Sequence, residues 1–175
     1  MLCREIRLLA GELPNHPMLV NLYWAWQDDK YLYRVDDDTD DMEIIVGVNE
    51  SKSSRCVDLR WIASQLALAI HYIHSHGMIH GNINPQSINI NSTNTLKLGS
   101  FKYLRKMQGG TRLKGVCGDF EEFRAPECYG LDGYFEEIDW YSYGKVLEYY
   151  SKDLEVKDEI LKDLICQLTK DSINR

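Results

Sequence analysis

Met78 to Ser100, MIHGNINPQSININSTNTLKLGS, is the stretch whose reading decides the fold. Met78-Ile79 is apolar and extended. His80 to Ser87 is rich in Gly, Asn and Pro, which is loop composition. Ile88 and Ile90 alternate with Asn89 and Asn91, the two-residue period of a strand. Asn91 to Thr95 supplies a turn, and Leu96-Lys97-Leu98 alternates again. The expected order is short strand, polar loop, strand, turn, strand.

Upstream, Asp58 is a candidate N-cap. Leu59, Ile62, Ala63, Leu66, Ala67, Ile70 and Ile73 form one apolar stripe of a helix that runs to His76, and Gly77 stops it. His71, His74 and His76 sit at helical spacings without a companion Cys or carboxylate motif, so they read as core or surface histidines. Near the start, Ile6, Leu9, Ala10 and Leu13 give a second helical series over Leu2 to Leu13, ended by Pro14 and Pro17. Leu19 to Gln27 and Lys30 to Val35 read as an aromatic-rich hairpin turning at Asp28-Asp29. Asp36 to Asp41, DDDTDD, reads as a solvated, self-repelling loop. Met42 to Ser54 carries no legible period, and Ser51 to Ser54 reads as loop. Downstream, Phe101 to Phe123 holds Gly109-Gly110 and five Lys or Arg, consistent with a mobile exposed loop. Ile160, Leu161, Leu164, Ile165 and Leu168 stripe a last helix.

The totals bound the rest. A chain of 175 residues is long enough for one domain with a real core. With 44% hydrophobic and 27% charged residues it has the composition of a globular protein. A net charge of -7 argues against nucleic acid or anionic membrane as the main partner. Five scattered cysteines without a C-x-x-C pair fit a reducing compartment better than a disulfide scaffold. No metal-ligand spacing occurs. The longest apolar region, Trp61 to Ile73, is broken by Ser64, Gln65 and His71 and is no membrane span. No signal peptide opens the sequence, so the two N-x-S/T matches at Asn49 and Asn91 read as chance, and the expected location is cytoplasmic or nuclear.

In order along the chain, HPMLV, IHGNINPQSI, FRAPE and DWYSYG together resemble the protein kinase family. The 78–100 stretch resembles its catalytic loop, H-R-D-L-K-P-E-N, followed by the strand that leads into D-F-G. His80 matches the His, Pro85 the Pro and Phe101 the Phe. Gly81 stands for the Arg, Asn82 for the base Asp, Asn84 for the Lys, Ser87 for the metal-binding Asn and Ser100 for the metal-binding Asp. Arg124-Ala125-Pro126-Glu127 matches A-P-E with its preceding Arg, and Asp139 to Gly144 resembles the D-x-W-S-x-G helix opening. The resemblance implies an α+β, kinase-like fold: a mostly helical large lobe over 58–175, a truncated small lobe of one helix and two strands over 1–35, and a hinge and acidic loop over 36–57. It implies that Glu5 is the small-lobe helix Glu that pairs with a strand Lys; without that Lys, Glu5 is a first-turn carboxylate beside the helix dipole. It implies an apolar column of Leu9, Leu22, His80 and Phe101 rooted on Asp139, and an ion pair of Glu127 with Arg175, whose rupture would cost about 3–5 kcal/mol if buried. Met1 stands just before the first helix, so neither a Gly-rich loop nor the strand Lys is expected ahead of it. Only Ser151 to Lys157 joins the last two helices, too little for the helix and loops that the family places there, and the final family helix is expected to be missing after Arg175.

The same alignment implies lost chemistry. Kinases neutralise the nucleotide with Mg²⁺ held by hard oxygen ligands. Ser87 and Ser100 offer neutral hydroxyls instead. Asn82 can hold a hydrogen bond but its amide takes no proton near pH 7. Asn84 removes the loop Lys charge, and Asn89 adds polarity where the family places an apolar residue under the adenine. The expectation is therefore a pseudokinase with no metal and no cofactor, acting as a regulatory or scaffold module for a protein partner that the sequence does not identify. The alternative is a reduced serine/threonine kinase with weak ATP binding or residual phosphotransfer. HGNINP resembles the Scy-like pseudokinases and also receptor guanylyl cyclase kinase-homology domains, while LYWAWQDD and GDFEEFRAPE resemble the Wee-type mitotic inhibitor kinases, which would point to cell-cycle control. These resemblances leave the subfamily open.

Overall fold

Helix α2, Leu59–Ser75, is the spine of the fold. Asp58 caps it by accepting the Arg60 backbone N–H at 2.9 Å. Leu59, Ile62, Ala63, Leu66, Ala69, Ile70 and Ile73 are its buried residues. Ala69 thus takes the inner face, and Ala67, expected there, is half-buried. Gly77 follows the helix with φ +67°, a left-handed position that favours glycine. This is a computed structural model, and it describes residues 4–37, 44–46, 55–91, 95–107, 109–152 and 158–170.

Before α2 lie α1 (Arg4–Gly11) and the antiparallel hairpin of β1 (Leu22–Gln27) with β2 (Leu32–Asp36). The hairpin's cross-strand pairs Trp24–Val35 and Trp26–Tyr33 share one face, with Trp26 and Tyr33 stacked at 5.1 Å. These side chains remain exposed, Trp24 at 71%. Strands β3 (Ile44–Val46) and β4 (Arg55–Val57) form a short parallel pair. Nothing periodic announced them, because three-residue strands are shorter than the window that reveals alternation. Asp38 to Asp41 of the acidic run and Ser51 to Ser54 lie outside the described residues.

After α2 the chain follows the expected order. Strand β5 (Met78–Ile79) leads into the polar loop, and β6 (Ile88–Ile90) pairs antiparallel with β7 (Leu96–Leu98) in the register Ile88–Leu98, Asn89–Lys97, Ile90–Leu96. Strand β8 (Arg105–Lys106) returns to pair with β5, so the loop after Phe101 is tied back rather than free. Lys97 is buried and reaches across to Asp37 at 2.8 Å and the Leu19 carbonyl at 3.1 Å, fixing the end of the hairpin onto β7. Two long helices complete the α+β architecture, α3 (Glu137–Ser151) and α4 (Glu159–Leu168). The Tyr143 hydroxyl donates to the Ala63 carbonyl at 3.0 Å and locks α3 on α2. Among the described residues no helix is long and apolar enough to cross a membrane.

The α3–α4 crossing depends on Gly144. A Cβ there would stand 2.7 Å from the Leu168 Cβ and 3.1 Å from the Thr169 methyl. Gly144→Ala is expected to push α4 off α3 and cost about 1–3 kcal/mol through overpacking. Urea unfolding of the two proteins measures it; an unchanged midpoint would mean that α4 moves freely.

Candidate functional site

The His80–Ser87 loop is held from beneath by Asp139, at the start of α3. This carboxylate is 1% exposed. It accepts the backbone N–H of His80 on Oδ2 and of Gly81 on Oδ1, both at 2.8 Å, and the His74 Nε2–H at 2.8 Å. Burial pushes the Asp139 carboxyl upward, but the hydrogen bonds from His74 and from the Gly81 N–H favour the carboxylate, and its pKa lies below the ordinary value. The His80 imidazole turns elsewhere. Its Nε2 lies 2.8 Å from the Gly99 carbonyl, which can only accept, so Nε2 carries the proton and Nδ1 accepts the Asn82 backbone N–H at 3.2 Å. Burial keeps this ring neutral by lowering its pKa. His80 thus meets Asp139 through its backbone N–H, and the imidazole bonded to that carboxylate is His74. Sequence spacing showed His74 only as one of three helical histidines; its reach to Asp139 spans 65 residues.

Phe101, fully buried, packs edge-on against His80 at 5.3 Å between ring centroids. Leu9 of α1 is half-buried against the same core. Leu22 is half-buried and lines, with Leu9, Ile6 and Leu13, a groove between α1 and β1. The Glu5 side chain and all of Arg175 lie outside the described residues, so the Glu127–Arg175 pair is not visible; Glu127 is half-buried on the turn Pro126–Tyr129.

The reacting positions are occupied by neutral groups that bond to each other. The Asn84 side-chain amide donates to the Asn82 carbonyl at 2.8 Å and to the Asn82 Oδ1 at 3.2 Å. The Ser87 hydroxyl donates to the Asn84 carbonyl at 2.7 Å and accepts the Asn84 N–H at 3.1 Å. Asn84 also caps the turn Pro85–Ser87 by accepting the Gln86 N–H. Ser100 is exposed and sits at φ 60°, ψ 53°, a left-handed conformation unusual for a residue other than glycine. Asn82, Asn84 and Ser87 are thus joined by hydrogen bonds, and Ser100 follows Gly99, whose N–H donates to the Ser87 carbonyl at 2.8 Å. Asn89 is half-buried opposite Lys97. The kinase fold implies Mg²⁺ and a nucleotide, and the residues present do not fit that metal: the Ser87 oxygen is already engaged with Asn84, and Ser100 brings no carboxylate. No grouping of three His, Cys, Asp or Glu side chains among the described residues could hold an ion.

A carboxylate that sequence reasoning passed over faces this loop. Asp119 donates its backbone N–H to Asn82 Oδ1 at 2.9 Å, and its Oδ2 lies 3.3 Å from the Asn82 amide nitrogen. Lys102 and Tyr103 donate to its Oδ1 at 2.8 and 2.9 Å. The Lys102 bond leads the causes that lower its pKa. Only its place in GDFEEFRAPE, beside Gly118, hinted at it. The segment expected to be a mobile exposed loop is instead anchored here, by β8, and by a Cys117–Cys128 disulfide, a pair that the scattered cysteine spacing did not show. Scattered spacing hid that pair because it is made by the fold.

The comparisons agree with this geometry. The family model described as protein kinase domain matches residues 1–167. The chain is 25% identical over 130 residues to a cAMP-dependent protein kinase catalytic subunit of Dictyostelium discoideum, 74% of this chain and 20% of that protein. It is 27% identical over 137 residues to the human cAMP-dependent protein kinase catalytic subunit PRKX, 74% of this chain and 36% of that protein. It is 29% identical over 157 residues to the serine/threonine-protein kinase sgk-1 of Caenorhabditis elegans, 84% of this chain and 34% of that protein. The chain therefore spans little more than a third, at most, of each of these relatives. With the loop on its buried Asp139, Phe101 against His80 and the A-P-E turn in place, this chain belongs to the protein kinase family.

Proposed function

We propose that this kinase-fold domain is catalytically inactive and acts as a regulatory or scaffold module that binds a protein partner. One observation carries the reading: Asn82, Asn84 and Ser87 are neutral, and their side chains are already engaged with one another, with the Gln86 N–H and with Asp119. Phosphoryl transfer works by positioning and by electrostatic stabilisation of the nucleotide's charge. Neutral side chains already committed to protein partners supply neither a good metal ligand nor a charge. The packing side of the site, Asp139, His80 and Phe101, is intact, which supports retention of the fold without its reaction.

The second reading is a reduced serine/threonine kinase with weak ATP binding. Asp119 favours it, because its carboxylate lies 3.3 Å from the amide of Asn82 and is held ionised by Lys102. A radiolabelled ATP assay separates the two. The expected result is no transfer to a generic protein substrate, and none from Asn82→Asp or Ser100→Asp either, since residues that act as a unit are grossly non-additive and one restored member finds no partners. Robust wild-type transfer abolished by Asp119→Asn would overturn the inactive reading. Thermal shift with ATP, with and without Mg²⁺, reads residual binding directly; a shift that needs Mg²⁺ would favour the enzyme.

A further inference from the structure

Cys117 and Cys128 flank the segment that covers the catalytic loop. Cys117 precedes Gly118 and Asp119, and Cys128 follows the A-P-E Glu127. Their sulfurs are joined, with Cα atoms 6.5 Å apart and a separation of 11 residues in sequence. Cys117 is 3% exposed and packs with Ile79, Ala125, Tyr134 and Ile138 in a small core separate from the main one. Cys128 is half-buried against that core. Inside the span, Gly118 runs at φ +69° with its Cα side against the Gly81 carbonyl, and Asp119 makes its two bonds to Asn82. The Phe123 carbonyl accepts the buried Ser142 hydroxyl at 2.7 Å, so the far half of the span is fixed on α3 without the disulfide. The near half, Cys117 to Asp119, is held covalently only at Cys117; beyond it the Gly118 carbonyl accepts from Arg124 at 2.8 Å and Asp119 bonds to Asn82, Lys102 and Tyr103.

We propose that Cys117 and Cys128 form a reversible dithiol–disulfide site that controls whether the Gly118–Asp119 turn covers the catalytic loop. The oxidant is a small disulfide. The Cys128 thiolate, the more accessible of the two, attacks one sulfur of it and releases one small thiol. The Cys117 thiolate then attacks the Cys128 sulfur of the mixed disulfide and releases the second. Two protein thiols and one small disulfide become one protein disulfide and two small thiols, so atoms and electrons balance. In reduction one thiolate of a small dithiol attacks the Cys128 sulfur and frees the Cys117 thiol, and its second thiolate then displaces Cys128, so that the dithiol leaves as a cyclic disulfide. The disulfide pulls the turn toward the Ile79–Ile138 core and holds the Asp119 N–H on Asn82. Without it, hydrogen bonds alone retain the turn: those of Asp119 to Asn82, Lys102 and Tyr103, and that of the Gly118 carbonyl to Arg124 at 2.8 Å, each of which is worth little where water competes.

Hydrogen exchange tests this on the whole chain, treated with oxidised glutathione or with dithiothreitol, and the pairing is assigned by mass spectrometry of non-reduced peptides. The expected result is a Cys117–Cys128 peptide pair in the oxidised sample and exchange of the Asp119 amide at least tenfold faster after reduction. Amides of α2 and of Ser142 should not change. Cys117→Ser and Cys128→Ser should each exchange like the reduced wild type and be insensitive to oxidant. Asn82→Ala should speed Asp119 exchange in both redox states while the disulfide still forms. Failure of glutathione to link the two cysteines, or equal Asp119 protection in both states with the link proven, would overturn the proposal. Because no readout involves ATP, it stands or falls separately from the inactive reading of the site.

Discussion

Asp139→Ala is expected to cost this domain about 3–5 kcal/mol, a large share of the roughly 5–15 kcal/mol that a domain of this kind holds. Three donors converge on that carboxylate, the N–H groups of His80 and Gly81 and the His74 imidazole. Alanine removes the acceptor and leaves them buried without partners, each at about 1–3 kcal/mol before relaxation. Asp139→Asn is no rescue, since the new amide nitrogen would face a donor. Urea unfolding measures the loss, and a cycle with His74→Ala measures the share that belongs to that pair. A loss below about 1 kcal/mol would mean that water replaces the carboxylate and that the loop is not suspended from α3. The same residues set a pH dependence of one sign. His80 is held neutral in the fold, below its ordinary 6.5, so beneath that pH the unfolded chain binds a proton that the folded chain refuses. Asp139 has a depressed pKa, so its contribution is present above the ordinary 3.8 and fades as pH falls further. Both terms make acid destabilising: the urea midpoint should decline from about pH 7 toward 5 and again below about 4. A midpoint that rises over the first of those intervals would contradict the neutral His80.

Local signals were the legible part of this fold. The alternation of Ile88, Ile90, Leu96 and Leu98 marked both strands, since side-chain period is set by neighbours in sequence. The stripe from Leu59 to Ile73 gave α2 for the same reason. The motif order gave the family. What stayed hidden is made by distance: Asn82 meets Asp119 across 37 residues, and His74 meets Asp139 across 65. A helical His spaced from another His carries no mark of the carboxylate it will meet. The resemblance assigns roles by position and does not say which atoms meet; the backbone N–H at position 80 contacts Asp139 whatever side chain stands there. The aromatic hairpin shows the reverse limit. Its strands were readable from composition, yet composition does not say which face is covered, and Trp24 and Trp26 stand exposed.

Phe101→Ala is expected to cost about 3–5 kcal/mol, the usual range for emptying a buried phenylalanine site. The ring is fully buried in the main core and meets the His80 ring edge-on at 5.3 Å. Its backbone follows Ser100, whose left-handed conformation is tolerated only while the surroundings hold it. Removing the ring therefore takes away apolar contact, leaves a cavity and loosens a strained turn together. The Gly99 N–H on the Ser87 carbonyl at 2.8 Å ties that turn to the polar loop, so the damage should reach Asn82 and Ser87 as well. Phe101→Leu keeps most of the volume and should lose much less, under about 1.5 kcal/mol. Thermal and urea unfolding give the magnitudes. His80 supplies a second readout that simple loss of packing elsewhere would not move. Its pKa is lowered chiefly by burial, so water entering the vacated space should raise it back toward 6.5 in Phe101→Ala and leave it low in Phe101→Leu. Titration of the His80 ring by NMR distinguishes the two variants. A stable Phe101→Ala protein with an unmoved His80 would show that the ring is not what shields the imidazole, and that the column over Asp139 ends at His80.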